Sequence, residues 1–116
     1  MAVHMVSATL HSSFMAITRV WRGWTTPENA AAYETFLFDE LLPQVKALAG
    51  FIGAEILHRQ DGDEISWVSL LRFESMDHVR AFAGASPERA VLEPKALALL
   101  SRHETHVRHF ETRVLT

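Results

Sequence analysis

Apolar and polar positions along the chain follow two different periods. Stretches that alternate every second residue and are rich in β-branched and aromatic side chains predict strands, whereas apolar residues three or four apart predict helices. The order is strand, helix, strand, strand, helix, strand, over residues 15–24, 27–48, 51–60, 65–73, 76–83 and 103–115. This order predicts an α+β fold of the ferredoxin-like kind (βαββαβ) with a four-stranded antiparallel sheet.

Residues at the ends of these segments predict where an element begins or breaks. A hydroxyl of Thr25 or Thr26 can accept a hydrogen bond from an amide of the first helical turn. Pro43 lacks the amide that a helix interior needs, so a kink is expected near residues 39–42. Pro87 and Pro94 each predict the start of a further short helical piece.

The second and third strands are joined by Asp61-Gly62, a strong signal for a tight turn. With these two residues at the centre of the turn, Gln60 pairs with Asp63, and the period of two fixes which side chains share a face. The more apolar face then carries Ile52, Ala54, Ile56, His58, Ile65, Trp67, Ser69, Leu71 and Phe73.

The opposite face of the predicted sheet also carries apolar side chains, at Leu57, Val68 and Leu70, among charged ones. Two helices on one side of a sheet cover only one face, and an antiparallel sheet with its other face in water should alternate cleanly. Burial against a second copy of the chain explains this face. We therefore expect a homodimer in which two sheets close into a dimeric α+β barrel.

Composition limits the class of protein. A chain of 116 residues fits one domain, which we assign to residues 15–116, with the Ser-rich residues 1–14 as a flexible tail. A formal net charge of −3 and scattered basic residues argue against a nucleic-acid partner. The absence of cysteine excludes disulfides and thiolate sites. No stretch reaches the roughly twenty apolar residues that span a bilayer, so the sequence predicts no membrane partner and a cytoplasmic location.

Short motifs occur along almost the whole chain after Met15. They are Arg19-x-Trp21-x-Gly23, Tyr33, Gly50-Phe51-x-Gly53, Phe73-Glu74-Ser75, Phe82-Ala83-Gly84 and His109-Phe110-Glu111. This set resembles the antibiotic biosynthesis monooxygenase-like superfamily. The resemblance implies a dimeric α+β barrel with a ligand pocket between the helices and the sheet of each subunit. It also implies a mixed range of functions, including cofactor-independent oxygenation of polyphenolic rings and heme degradation.

The sequence departs from the heme-degrading branch of that superfamily. That branch relies on an Asn in the first strand and on a Trp and a His in the second helical region. Here the first strand has no Asn, Phe82 stands where the Trp is expected, and Arg89-Ala90-Val91 offers no His. Heme degradation is therefore disfavoured.

Two histidines are candidates for a catalytic base. His109 lies deep in the last strand and His58 lies on the apolar face, and an imidazole takes up protons near neutral pH. His103, His106 and His109 are spaced by three, but on a strand His106 points away from the other two, so the trio cannot share one metal ion. The sequence predicts no metal site, and it has no glycine fingerprint for flavin or nicotinamide, so no cofactor is expected.

Arg19 shares a face of the first strand with Trp21. In a pocket, its cation would stabilise a phenolate or an enolate. The alternative is an ion pair with Glu55 or Glu111, because a buried cation without a partner is costly.

Four aromatic residues are candidates for the walls of a flat cavity: Trp21, Trp67, Tyr33 and Phe73. A pocket for an aromatic ligand needs ring faces and a few polar anchors. The alternative for each of these residues is ordinary packing in the core.

Together these observations indicate a small dimeric monooxygenase-like protein that oxygenates a planar aromatic or enolic metabolite. In this hypothesis His109 or His58 removes a proton, Arg19 stabilises the anion, and the aromatic residues hold the ring. The alternative is a non-catalytic ligand-binding or structural dimer, and a third option is an isomerase or lyase that uses no oxygen. A cavity of roughly 300 Å³ or more between helices and sheet would favour ligand binding over a closed, packed interface.

Overall fold

The chain forms one antiparallel sheet with its helices on one face, in a computed structural model that describes residues 15–116. The elements are β1 (Ala16–Thr25), α1 (Pro27–Phe36), a π-helical segment (Leu37–Leu41), α2 (Leu42–Lys46), β2 (Phe51–Asp61), β3 (Glu64–Phe73), α3 (Met76–Ala83), α4 (Pro94–Leu99), β4 (Leu100–His103) and β5 (Arg108–Thr112). The strand order is β2-β3-β1, and β4 and β5 both pair with the outer edge of β1. The predicted α+β ferredoxin-like fold is confirmed, with five strands instead of four. The predicted tail lies outside the described residues.

Helix starts follow the capping residues of the sequence. The Thr26 hydroxyl accepts a hydrogen bond from the Asn29 amide at 3.2 Å, and Pro27 opens α1. The predicted disturbance before Pro43 is present as the π-helical segment, which is closed by a bond from the Leu42 amide to the Leu37 carbonyl. The wider turn relieves the clash between a proline ring and the preceding turn.

The hairpin turn differs from the prediction by one position. Its central residues are Gly62 and Asp63, so that Gln60 pairs with Ile65 and not with Asp63. Gly62 has a φ of 64°, and a turn with positive φ at its first central position favours glycine there. The resulting register differs from the predicted one by two residues, and the predicted faces are kept because the side-chain period is two.

A bulge at the start of β2 changes one predicted face. The pairing between β2 and β3 shifts between Phe51 and Gly53, so Phe51 packs toward the core opposite Phe73. Ile52, which was predicted on the apolar face, is 51% exposed.

The predicted single strand over residues 103–115 is wrong. The chain pairs with β1 twice, as β4 and as β5, and leaves it in between. Two backbone hydrogen bonds of 2.8 and 2.9 Å join residues 105–107 to residues 88–90, which takes these groups away from β1. Pro87 accordingly opens a turn that faces this segment and not the predicted helical piece, whereas Pro94 opens α4 as predicted.

The core lies between the helices and one face of the sheet. One cluster contains Tyr33 and Trp67, and a second contains Val45, Phe73 and Val79, which are almost fully buried. Burying each of these side chains contributes about 1.5–3 kcal/mol. Within residues 15–116, no helix is long and apolar enough to cross a membrane.

Candidate functional site

A cavity of about 480 Å³ lies between the helices and the sheet. Arg19 and Trp21 of β1 and Ser69 of β3 form part of its wall on the sheet side, and Tyr33 of α1 and Phe82 of α3 line it from the helices. Both its position and its volume are typical of a small-molecule site. The interface between helices and sheet is therefore not closed by packing.

The Arg19 side chain holds the segment that precedes α4. Its Nη1 donates to the Pro87 carbonyl at 2.5 Å and to His109 Nε2 at 3.0 Å, and its Nη2 donates to the Arg89 carbonyl at 2.7 Å. The guanidinium also lies 5.5 Å from the centre of the Phe82 ring. Arg19 thus fixes residues 85–93 beside the cavity.

Arg19 is 3% exposed and remains a cation at neutral pH, because burial lowers its pKa only to about 10. Within residues 15–116 of one chain, the alternative ion pair with Glu55 or Glu111 is not formed, and Glu55 binds Arg72 at 2.7 Å instead. Among residues 15–116 the acceptors of Arg19 are two carbonyls and an imidazole, and no carboxylate forms a salt bridge with it. The cavity wall thus holds a buried positive charge, which favours an anionic ligand.

His109 lies on β5 directly opposite Arg19 and is half-buried. Burial first, and then the charge of Arg19, lower the pKa of His109 below its ordinary value, while Glu88 acts in the opposite direction. The ring is therefore neutral at pH 7, and its Nε2 accepts the proton of Arg19, which leaves the ring proton on Nδ1. The structure brings His109 to Arg19 but not to the cavity wall.

Trp21 is fixed in the cavity wall by two contacts. Its indole nitrogen donates to the Glu104 carbonyl at 2.7 Å, where the chain leaves β1 between β4 and β5. Its ring lies over Gly23, where an added Cβ would meet Trp21 Cη2 at 2.5 Å. The glycine is therefore needed for this ring position.

Tyr33 also lines the cavity, and its ring meets the Trp67 ring edge-on with a centroid distance of 5.1 Å. Burial raises the pKa of the Tyr33 phenol above its ordinary value. Tyr33 is therefore neutral over the physiological range, and it can donate a hydrogen bond to a ligand but not serve as a base.

Two other predicted aromatic residues lie in the core away from the cavity. Trp67 is 2% exposed and donates from its indole nitrogen to Thr25 Oγ1 at 3.0 Å. Phe73 is fully buried and packs against Phe51 and Phe82. Both residues support the walls from behind, in the packing role that was the alternative for each.

His58 lies apart from Arg19. It is exposed on β2, and its ring stacks on the Trp67 ring with a centroid distance of 4.9 Å. It borders a second, smaller cavity, which lies between β2 and the helical residues 34–45. The two histidines proposed as bases are therefore not in one site.

Three polar residues of the cavity wall were missed by reasoning from the sequence: Ser69, Gln44 and Glu93. Ser69 does have a signal, because it is the small polar residue on the otherwise apolar face of β3. Gln44 and Glu93 have no such signal: Gln44 lies inside α2 and Glu93 directly precedes α4, and no sequence period sets either residue apart.

No family model matches the sequence, and no curated protein matches it significantly. Solved structures do match, at low identity. A conserved protein from Methanosarcina mazei is 17% identical over 88% of this chain and 97% of its own, with a TM-score of 0.64. A NipSnap family protein of unknown function from Agrobacterium tumefaciens is 17% identical over 87% of this chain and 91% of its own, with a TM-score of 0.53.

A monooxygenase from the ActVA-Orf6 gene of Streptomyces coelicolor, solved with the ligand Nanaomycin D, shares the same arrangement. It is 14% identical over 90% of this chain and 91% of its own, with a TM-score of 0.57. At such identities the likeness concerns the fold. The predicted resemblance is confirmed at that level: the chain has the fold of antibiotic biosynthesis monooxygenase-type proteins.

Proposed function

We propose that the protein binds a planar aromatic or enolic metabolite as its anion and oxygenates it without a metal or flavin. The observation that carries the proposal is the buried cation of Arg19 in the wall of a cavity of about 480 Å³. The fold shared with a monooxygenase supports it. A cytoplasmic location belongs to the same proposal.

In the proposed binding step, the acidic oxygen of the metabolite takes hydrogen bonds from Arg19. A cation within hydrogen-bond distance lowers the pKa of a phenol or enol and stabilises the anion. Trp21, Tyr33 and Phe82 offer ring faces or edges that orient a flat molecule. His109 binds Arg19 but does not line the cavity, so the proton of the metabolite leaves to water and Arg19 holds the anion.

In the proposed oxygenation step, the metabolite itself supplies the electrons. The electron-rich carbon of the anion forms a bond to dioxygen, and protonation gives a hydroperoxide. The O–O bond then breaks with loss of the remaining hydrogen on that carbon, which yields a carbonyl and water. One oxygen atom enters the product, and the four electrons that reduce dioxygen all come from the substrate.

The second candidate function is binding without catalysis. It is favoured by one observation, which is that neither His109 nor His58 lines the cavity beside Arg19. A protein that only binds an anion needs Arg19 and the aromatic wall but no base.

Turnover assays separate these functions. The purified protein is incubated with anthrones, hydroquinones and cyclic 1,3-diketones, in ¹⁸O₂ and under nitrogen, with Arg19→Met as the control. We expect conversion only with oxygen, one labelled atom in the product, and loss of conversion in the variant. Tight binding without conversion would establish the second candidate, and conversion under nitrogen would indicate an isomerase or a lyase. No binding of any member would contradict the proposal.

We further propose that a second copy of the chain covers the open face of the sheet. Leu57 and Phe110 are each 51% exposed on that face, beside half-buried Val68 and Leu70. An apolar face of this kind is costly in water. Sedimentation at micromolar concentration should give twice the mass of one chain, and Phe110→Glu should halve it. A wild-type monomer would overturn the dimer and leave the ligand site untouched.

A further inference from the structure

The second cavity has a volume of about 210 Å³ and lies between β2 and the helical residues 34–45. The proposed function makes no use of it. Phe38, Ala54 and Ile56 are among its apolar lining residues, and the polar ones are Glu34, Glu55 and His58. It is thus a mainly apolar space with a few polar groups.

The two cavities share a wall. Leu37, Leu41 and Leu71 line both of them. Leu37 and Leu71 are only 5% and 7% exposed, and Leu41 is partly buried. What separates the cavities is therefore formed by leucine side chains, and a rotamer change in one of them moves the boundary.

The helix backbone is irregular at this wall. The π-helical segment begins at Leu37 and ends at Leu41, so two of the three wall residues are its first and last members. Pro43 follows two residues later and has no amide to donate to the turn before it. Such π-helical turns occur frequently at functional sites, and a backbone with fewer regular hydrogen bonds yields more readily than a regular helix.

We propose that the two cavities form one elongated ligand site, with Leu41 at the passage between them. The ring and its anionic group lie beside Arg19, and an unbranched apolar tail passes Leu41 into the second cavity. A volume of 210 Å³ corresponds to about seven water-sized groups at about 30 Å³ each, so the tail has about five to seven atoms. The position of the ring rests on the proposed function, whereas the tail site rests on the shared wall.

A series of 6-alkoxy-2-naphthoates, from methoxy to hexyloxy, tests this geometry by isothermal titration calorimetry. The tail moves from water into an apolar space, so affinity should rise roughly twofold to fourfold per methylene. Ala54→Leu fills the second cavity alone. It should abolish the gain with chain length and leave the affinity for unsubstituted 2-naphthoate unchanged.

A second, milder variant keeps the test valid if Ala54→Leu does not fold. Phe38 is 60% exposed and lines only the second cavity, so Phe38→Ala should fold normally and weaken the hexyloxy compound at least threefold. Ile52→Ala is the matched control, because Ile52 is 51% exposed and lies outside both cavities. It should not alter binding of any member of the series.

The outcomes distinguish the two proposals. An undiminished gain with chain length in Ala54→Leu, or unchanged affinity of Phe38→Ala for the hexyloxy compound, overturns the tail site. If Arg19→Met binds 2-naphthoate as tightly as the wild type, the anionic anchor of the proposed function fails. The tail site is then decided by 2-alkoxynaphthalenes, which lack the carboxylate and should still lose their gain with chain length in Ala54→Leu.

Discussion

Arg19 and Arg22 lie three residues apart on β1 and face opposite sides of the sheet. Arg19 points toward the helices and binds backbone carbonyls and an imidazole beside the cavity. Arg22 points to the open face, donates to Ser66 Oγ at 3.1 Å and lies 4.9 Å from the centre of the Trp24 ring. Strand parity, and not residue type, therefore decides which arginine can serve a ligand.

The largest effect is expected from Arg19→Met. The variant removes the buried cation and leaves the Pro87 and Arg89 carbonyls without their donor. Affinity for 2-naphthoate should fall roughly 10- to 100-fold, the scale of hydrogen bonds to a charged group. Calorimetric titration measures this loss. The affinity of Arg19→Lys should lie between those of the wild type and Arg19→Met, because an ammonium keeps the charge but cannot reproduce the planar fork of hydrogen bonds. Unchanged affinity would remove the distinction between the two arginines.

A smaller effect is expected at Gly23, which lies under Trp21. Gly23→Ala places a methyl group 2.5 Å from Trp21 Cη2, so the ring must move or the strand must bend. Overpacking of this kind costs about 1–3 kcal/mol of folding free energy. Denaturant unfolding measures the cost, and near-ultraviolet circular dichroism reports the ring. Gly53→Ala is the control, since its new methyl group meets only the flexible end of Arg72 at 2.9 Å.

A pH effect is expected from His109. Its pKa is lowered from the model-compound value of 6.5 in the folded protein, so the unfolded chain binds the proton more tightly. The free energy of unfolding should therefore decrease as the pH falls from about 7 toward about 5. His109→Gln can still accept the Arg19 hydrogen bond but does not titrate, so its decrease should be smaller. Equal slopes in the two proteins would show that folding does not lower the pKa of His109, by burial or by the charge of Arg19.

The smallest effect is expected from Arg22→Met. The side chain loses its contact with the Trp24 ring and one hydrogen bond, which together are worth about 1–2.5 kcal/mol of folding free energy but lie on the open face, away from the ligand. Affinity for 2-naphthoate should not change. A loss of affinity as large as that of Arg19→Met would show that the ligand lies on the open face.

Local rules explain most of what the sequence could predict about the fold. Thr26 and Pro94 mark helix starts because one residue decides each of them. The break between β4 and β5 could not be read in the same way, because it arises from backbone bonds to residues 88–90, far away in sequence. The spacing of apolar and polar residues within one segment does not show which distant backbone groups that segment will bond.

The candidate site shows the same division. Parity placed Arg19 and Trp21 together on one face, and the cavity wall contains both. It could not show that Arg19 and His58 border different cavities, since this depends on where the helices cross the sheet. The two carbonyl acceptors of Arg19 could not be predicted from the sequence either, because every residue type carries the same backbone carbonyl.

The three tryptophans give the molecule a set of internal optical probes. Trp21 lines the main cavity, Trp67 stacks under His58 beside the second one, and Trp24 lies under Arg102 on the open face. Replacing two of them by phenylalanine in turn leaves a single emitter in each region. Ligand entry, tail insertion and contact between two copies would then each change the fluorescence of a different tryptophan, and one spectrometer could follow all three.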